Sequence, residues 1–236
     1  MSISVQNLTK TYGAQKALDN ISFETGTNHI IGFLGPNGAG KSTTMKILTG
    51  ILPIETGQCH IHDIDLASHP QEAKKIIGYL PENNPLYLDM YVREILQYEA
   101  GVHGLCSTKQ RISEVIELTG LQAEQHKKVQ QLSKGYRQRV GLAMAIIHDP
   151  KVLILDEPTS GLDPNQILEI RALIKQLSQE KTVLLSTHIM QEVEAICEEI
   201  IIIAQGTIRD HFLKPEMPNK YPGKSMEEVF VSLTRT

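Results

Sequence analysis

Cysteine is scarce: Cys59, Cys106 and Cys197 are far apart and odd in number, and no CxxC pair occurs. A zinc ribbon and a disulfide framework are therefore unsupported, and three free thiols fit a reducing compartment. No apolar run approaches the ~18 residues that a bilayer span requires. The opening residues, MSISVQNLTKTYG, lack the basic start and apolar core of an export signal. An excess of positive charge is missing too. Lys plus Arg is 23 against 27 for Asp plus Glu, a formal net charge of −4, which argues against bulk nucleic-acid binding. Internal repeats and low-complexity segments are absent, as is an NKxD guanine-reading segment.

What is present suits one α/β domain of 236 residues with 41% hydrophobic and 21% charged composition. Short β-branched runs at 30–34, 76–80, 152–156, 183–187 and 200–204 read as buried strands. Between them, 167–177 and 189–200 carry apolar residues at helical spacing, which implies a mostly parallel sheet covered by helices. Residues 2–8 and 21–24 read as antiparallel strands joined through TKTYG and ALDN turns. Strand signals vanish from 83 to 145, where Ile112, Val115, Ile116 and Thr119 suggest a helical insertion. The expected division is an α/β core with a β subdomain at 1–82 and 146–209. A helical subdomain occupies 83–145, and a tail occupies 210–236.

The segment GPNGAGKS at 35–42 matches GxxxxGK[ST], with an apolar strand before it and a helical stretch after it. Glycines let successive backbone N–H groups curl around a phosphate, and the following helix N-terminus adds partial positive charge. Lys41 is placed to neutralise the β- and γ-phosphates and Ser42 to ligate Mg²⁺. In VLILDE the strand 152–156 ends in Asp156, suited to holding the water shell of magnesium, and Glu157 follows. Glu157 is the candidate to orient or deprotonate an attacking water.

Together these residues resemble the nucleotide-binding subunits of ABC transporters, over nearly the whole chain. LSKGY at 132–136 stands where the family has its LSGGQ signature, and SGLD at 160–163 resembles its D-loop. His188 follows a strand as the switch histidine does, and Tyr12 falls where an aromatic ring stacks on adenine. The resemblance implies a P-loop NTPase core with an N-terminal antiparallel β subdomain and an inserted helical subdomain. The implied cofactors are ATP and Mg²⁺. Expected nucleotide contacts are Tyr12, Gly35, Pro36, Asn37, Gly38, Ala39, Gly40, Lys41, Ser42 and Thr43, joined by Ser133, Gly135 and Asp163. Glu157 and His188 are the expected catalytic residues, and Ser42, Asp156 and Glu82 the expected magnesium contacts.

The resemblance further implies a head-to-tail pair, most simply two copies, with two ATP held between the P-loop of one and the signature of the other. Transmembrane permease subunits complete the assembly at the cytoplasmic face of the inner membrane, and no nucleic acid is expected. Two departures, Glu82 for the usual Gln and LSKGY for LSGGQ, resemble the ABC-2 exporter branch. The segments MSISVQNLTKTYGAQKALDNISFE, GFLGPNGAGKSTTMKIL and GYLPENNPLYLDMYVREIL resemble gliding-motility-associated transporters of Bacteroidota. The alternative is a soluble ABC-type ATPase acting on ribosomes or DNA. Leu86, Tyr87, Leu88, Met90 and Tyr91 read either as insertion core or as a groove for a helix of the membrane partner.

Overall fold

The computed structural model describes residues 1–235. In chain order the strands are β1 (Ile3–Tyr12), β2 (Gln15–Glu24), β3 (Ile30–Leu34), β4 (Thr56–Ile61), β5 (Ile64–Asp65), β6 (Ile77–Leu80), β7 (Val152–Asp156), β8 (Thr182–Thr187), β9 (Glu199–Ala204) and β10 (Thr207–Leu213). The helices are α1 (Lys41–Leu48), α2 (Pro70–Ile76), α3 (Val92–Val102), α4 (Thr108–Leu118), α5 (Lys134–Ile146), α6 (Pro164–Leu177), α7 (Met190–Ile196), α8 (Met217–Lys220) and α9 (Met226–Thr234).

Two sheets form. One is antiparallel, in the order β2-β1-β4-β5; the other runs β10-β9-β3-β8-β7-β6 and is parallel except for β10 at its edge. Strands β3, β7, β8 and β9 are buried along their whole length, so their central residues form apolar runs rather than alternating, whereas β10 at the edge mixes polar and apolar residues. Side-chain alternation sends Ile31, Phe33, Ile201 and Ile203 toward the antiparallel sheet and α1. Ile30, Leu34, Ile200 and Ile202 point the other way, into a core shared with α3 to α7 and α9. The α/β architecture with an antiparallel sheet and a helical stretch at 83–145 agrees with the expected fold.

Several expected boundaries are corrected. Strands β1 and β2 run through TKTYG and ALDN and meet at a two-residue turn, Gly13-Ala14, with Tyr12 opposite Gln15. Those segments read as turns because they are rich in polar residues, of which Thr11, Tyr12 and Asn20 are exposed. Bulges at Asn7 and Asn20, both at positive φ, blurred the alternation further. The helix expected over 189–200 ends at Ile196, and Ile200 lies in β9. Apolar periodicity cannot separate a helix end from a strand buried on both faces. The strand expected from 76 starts at Ile77, since Ile76 closes α2. β10 crosses position 210, and beyond it α9 buries Met226 and Val229 against the core.

Topology places the site. β3 feeds the loop 35–40, β7 ends in Asp156 and β8 ends just before His188, so all three C-terminal strand ends open on one edge of the parallel sheet. In open α/β sheets this edge is where ligands bind.

Candidate functional site

Residues 35–40 wrap over the start of α1. Gly40 caps that helix at φ 108°, a left-handed conformation that favours glycine, and a Cβ there would stand 2.7 Å from the Ala17 carbonyl oxygen. Gly40→Ala should therefore cost about 1–3 kcal/mol. Gly38, also at positive φ but facing open space, should lose less on the same change. Thermal melts of the two variants compare them directly, and equal losses would refute the close-approach explanation.

Lys41 is the first residue of α1 and is 6% exposed. Its ammonium folds back over the loop, donating to the Gly35 carbonyl at 2.8 Å and the Pro36 carbonyl at 3.2 Å. Burial holds this amine below the ordinary lysine value, and the nearby carboxylates of Glu157 and Asp156 oppose that shift.

Glu157 is also buried, with Oε1 3.7 Å from Lys41 Nζ. His188 Nδ1 lies 2.9 Å from its Oε1 and 3.0 Å from its Oε2. Burial pushes the carboxyl above the usual glutamate value, with the His188 contact and the Lys41 charge working against the rise. The backbone of Glu157 sits at φ 51°, held by its N–H donating to the Ser186 carbonyl at 3.0 Å. A non-glycine residue in that conformation is strained, and such strain collects at functional sites. Here it turns the side chain out of the strand direction toward Lys41.

These groups line a cavity of about 620 Å³. Its wall takes in Tyr12, Asn37, Gly38, Gly40, Lys41, Ser42, Thr43, Glu82, Glu157 and His188, ten of the residues expected from the sequence. Tyr12 is half exposed, with Lys10 Nζ 5.6 Å from its ring centre, leaving a ring face available for stacking. Gly35, Pro36 and Ala39 stand behind the wall; a Cβ on Gly35 would meet the Ile203 carbonyl at 2.4 Å. Asp156 is buried at the end of β7, and its Oδ1 has no hydrogen-bond partner. Asp156 stands behind the cavity wall, close enough to act on the charge of Lys41, and its orphaned carboxylate oxygen fits the water shell of a divalent cation, while Ser42 is among the residues that line the cavity.

Gln15, Ala17 and Ser160 also line the cavity and were missed as contacts. Gln15 and Ala17 enter because β2 turns back beside Tyr12, which a reading that ended β1 at residue 8 could not reveal. Ser160 stands within the SGLD segment, and that segment was the available signal.

Besides Gly35, Pro36 and Ala39, three further expected contacts, all at the starts of α5 and α6, do not line this cavity. Ser133 caps α5 and accepts from the Tyr136 N–H at 3.4 Å, Gly135 is buried against the Gln166 side chain, and Asp163 caps α6 by accepting from the Gln166 N–H at 3.0 Å. The first turn of α5 carries no acidic residue, so its free N–H groups and dipole favour an anion. Lys134 leans from this turn onto the segment 160–163; a Cβ on Gly161 would come within 2.1 Å of its Nζ.

A family model described as ABC transporter matches residues 18–160. The bacitracin transport ATP-binding protein BcrA of Bacillus licheniformis is 40% identical over 208 residues, which cover 87% of this chain and 68% of that protein. A solved structure described as an ATP-binding subunit of an ABC transporter superposes with a TM-score of 0.89 at 28% identity, covering 99% of both chains. A second, a dimeric post-hydrolysis state of the ATP-binding cassette MJ0796 bound to ADP and phosphate, gives a TM-score of 0.81 at 26% identity, covering 89% of this chain and 98% of the other.

Proposed function

The chain belongs to the ABC transporter family as an ATP-binding subunit with ATPase activity, and from that premise we propose that it works as half of a head-to-tail dimer driving export. The observation that carries this reading is the convergence of Lys41, Glu157 and His188 in one cavity, with Ser133 and Gly135 elsewhere at a helix N-terminus. A cavity open on one side holds only one flank of a triphosphate. The α5 N-terminus of a second copy supplies the other, so ATP itself becomes the adhesive of the interface.

In this reading the loop 35–43 cradles the phosphates, Lys41 balances their charge and Tyr12 stacks on the base. Ser42, Asp156 and Glu82 would hold Mg²⁺, which lowers the charge cost of the transferred phosphoryl group when bound. Glu157 accepts a proton from the attacking water, and His188 fixes the carboxylate's orientation through its Nδ1. Ser133, Gly135 and Asp163 face the nucleotide of the partner copy.

No helix among the described residues is long and apolar enough to cross a membrane; in this reading the path belongs to permease subunits, as the ABC transporter family implies. Peripheral attachment at the cytoplasmic membrane face follows from that partnership. Leu86 and Met90 pack onto the helical core, whereas Tyr87, Leu88 and Tyr91 are exposed. The same short segment thus serves both as core and as docking face, with Tyr87 standing edge-on to Tyr98 at 5.7 Å. Tyr87→Ala should leave ATPase activity of the isolated chain within about twofold, as expected of a surface side chain outside the site, while co-purification with the permease from membranes is lost. Retained co-purification would refute the docking role.

Export, rather than import, rests on the LSKGY and Glu82 departures and on relatives named for bacitracin and multidrug transport. The gliding association rests on segment resemblance alone. The ribosome or DNA alternative is disfavoured because the similar proteins are transport subunits.

A further inference from the structure

Glu192, on α7, is 1% exposed, and among the described residues no Lys, Arg or His lies within 4 Å of its carboxylate. Burying a carboxylate without a counter-ion is costly and is tolerated only with well-made hydrogen bonds. Both of its oxygens have one. Thr187 Oγ1 donates to Oε2 at 2.6 Å, and Thr159 Oγ1 donates to Oε1. These hydroxyls are themselves buried, at 0% and 3% exposure.

The placement of the two threonines is what matters. Thr159 lies two residues beyond Glu157, in the turn closed by Ser160 N–H donating to the Glu157 carbonyl. Thr187 directly precedes His188 and also accepts from the Ile189 N–H at 3.0 Å, so one hydroxyl brackets the histidine on both sides. A single carboxylate therefore ties the turn that carries Glu157 to the turn that carries His188. Among the described residues, the only other side-chain hydrogen bond that spans those two turns is the Glu157–His188 contact itself.

We infer that Glu192 is a positioning residue for hydrolysis, setting the register of Glu157 against His188 by holding Thr159 and Thr187 together. This inference rests on the proposed roles of Glu157 and His188. Glu192 is not among the residues that line the cavity. Its effect is on how accurately the base is aimed, and misplacement on the order of 1 Å can cost about 100-fold in rate.

The test compares Glu192→Ala, Glu192→Gln and Thr187→Val with the unaltered chain and with Glu157→Gln, measuring kcat and KM for ATP hydrolysis and thermal stability. Glu192→Ala should lower kcat by about 10- to 100-fold with KM within about twofold. Glu192→Gln, which keeps size and part of the bonding, should recover part of that loss, and Thr187→Val should fall between. Melting temperatures should not follow the ranking of kcat. If Glu192→Ala does not fold, Glu192→Gln and Thr187→Val decide by the same criterion. Unchanged kcat in these variants, or losses that track melting temperature, would overturn the inference as a purely structural role. Should Glu157→Gln itself retain full turnover, the underlying catalytic reading fails instead, and the two failures are distinguished.

Discussion

Replacing Glu157 by Gln will lower ATP turnover by roughly 10²- to 10⁴-fold, the range that a positioned general base contributes, while ATP binding survives. The substitution preserves shape and leaves an amide oxygen toward His188, so the contact at 2.9 Å need not be lost. What disappears is the ability to take a proton. Burial already raises the proton affinity of this carboxyl above the ordinary glutamate value, which suits a base facing water at neutral pH better than an exposed acid would. Removing its charge also relieves repulsion toward a polyphosphate, so affinity for ATP should hold or rise. Steady-state hydrolysis and nucleotide titration separate the two quantities, and turnover near that of the unaltered chain would take Glu157 out of the mechanism.

Lys41→Ala has the opposite signature: affinity for ATP should fall by about 100-fold or more. Each charge-assisted hydrogen bond to phosphate contributes about 1.5–3 kcal/mol, and Lys41 is the cavity's one ammonium among the described lining residues. With it gone, the carboxylates of Glu82 and Glu157 line the cavity with Asp156 close behind, and His188 beside Glu157 is the one basic side chain left among the described lining residues. Glu82 makes the loss larger than a neutral residue in that position would. The loop carbonyls of Gly35 and Pro36 also lose their donor, so some loosening of residues 35–40 accompanies the loss of charge. Titration calorimetry with ATP and Mg²⁺ measures the effect; affinity within about threefold of the unaltered chain would contradict the role given to Lys41.

The chemistry-bearing strand ends were legible because each joins a buried apolar run to a residue type with a physical reason to be there. The run 30–34 leads to Gly35, and 152–156 ends in Asp156. The outer elements were harder to read. β4 and β10 mix polar and apolar residues, and their pairing is set by partners distant in sequence rather than by local pattern. Gln15 and Ala17 reach the cavity only because the hairpin is longer than its polar face suggested. Glu192 was invisible for a different reason. It reads as a polar residue of an amphipathic helix, and only folding brings it to Thr159, 33 residues away in sequence, and to Thr187.

The central claim is that two copies enclose the triphosphate, and sedimentation of the Glu157→Gln chain with and without Mg-ATP addresses it most directly. With nucleotide the mass should double from the 26.3 kDa of one chain, and the doubling should be lost when Ser133 is also changed to Arg, which fills the α5 N-terminus. A hydrolysis-blocked chain that binds ATP yet sediments as a single copy at high concentration would contradict it.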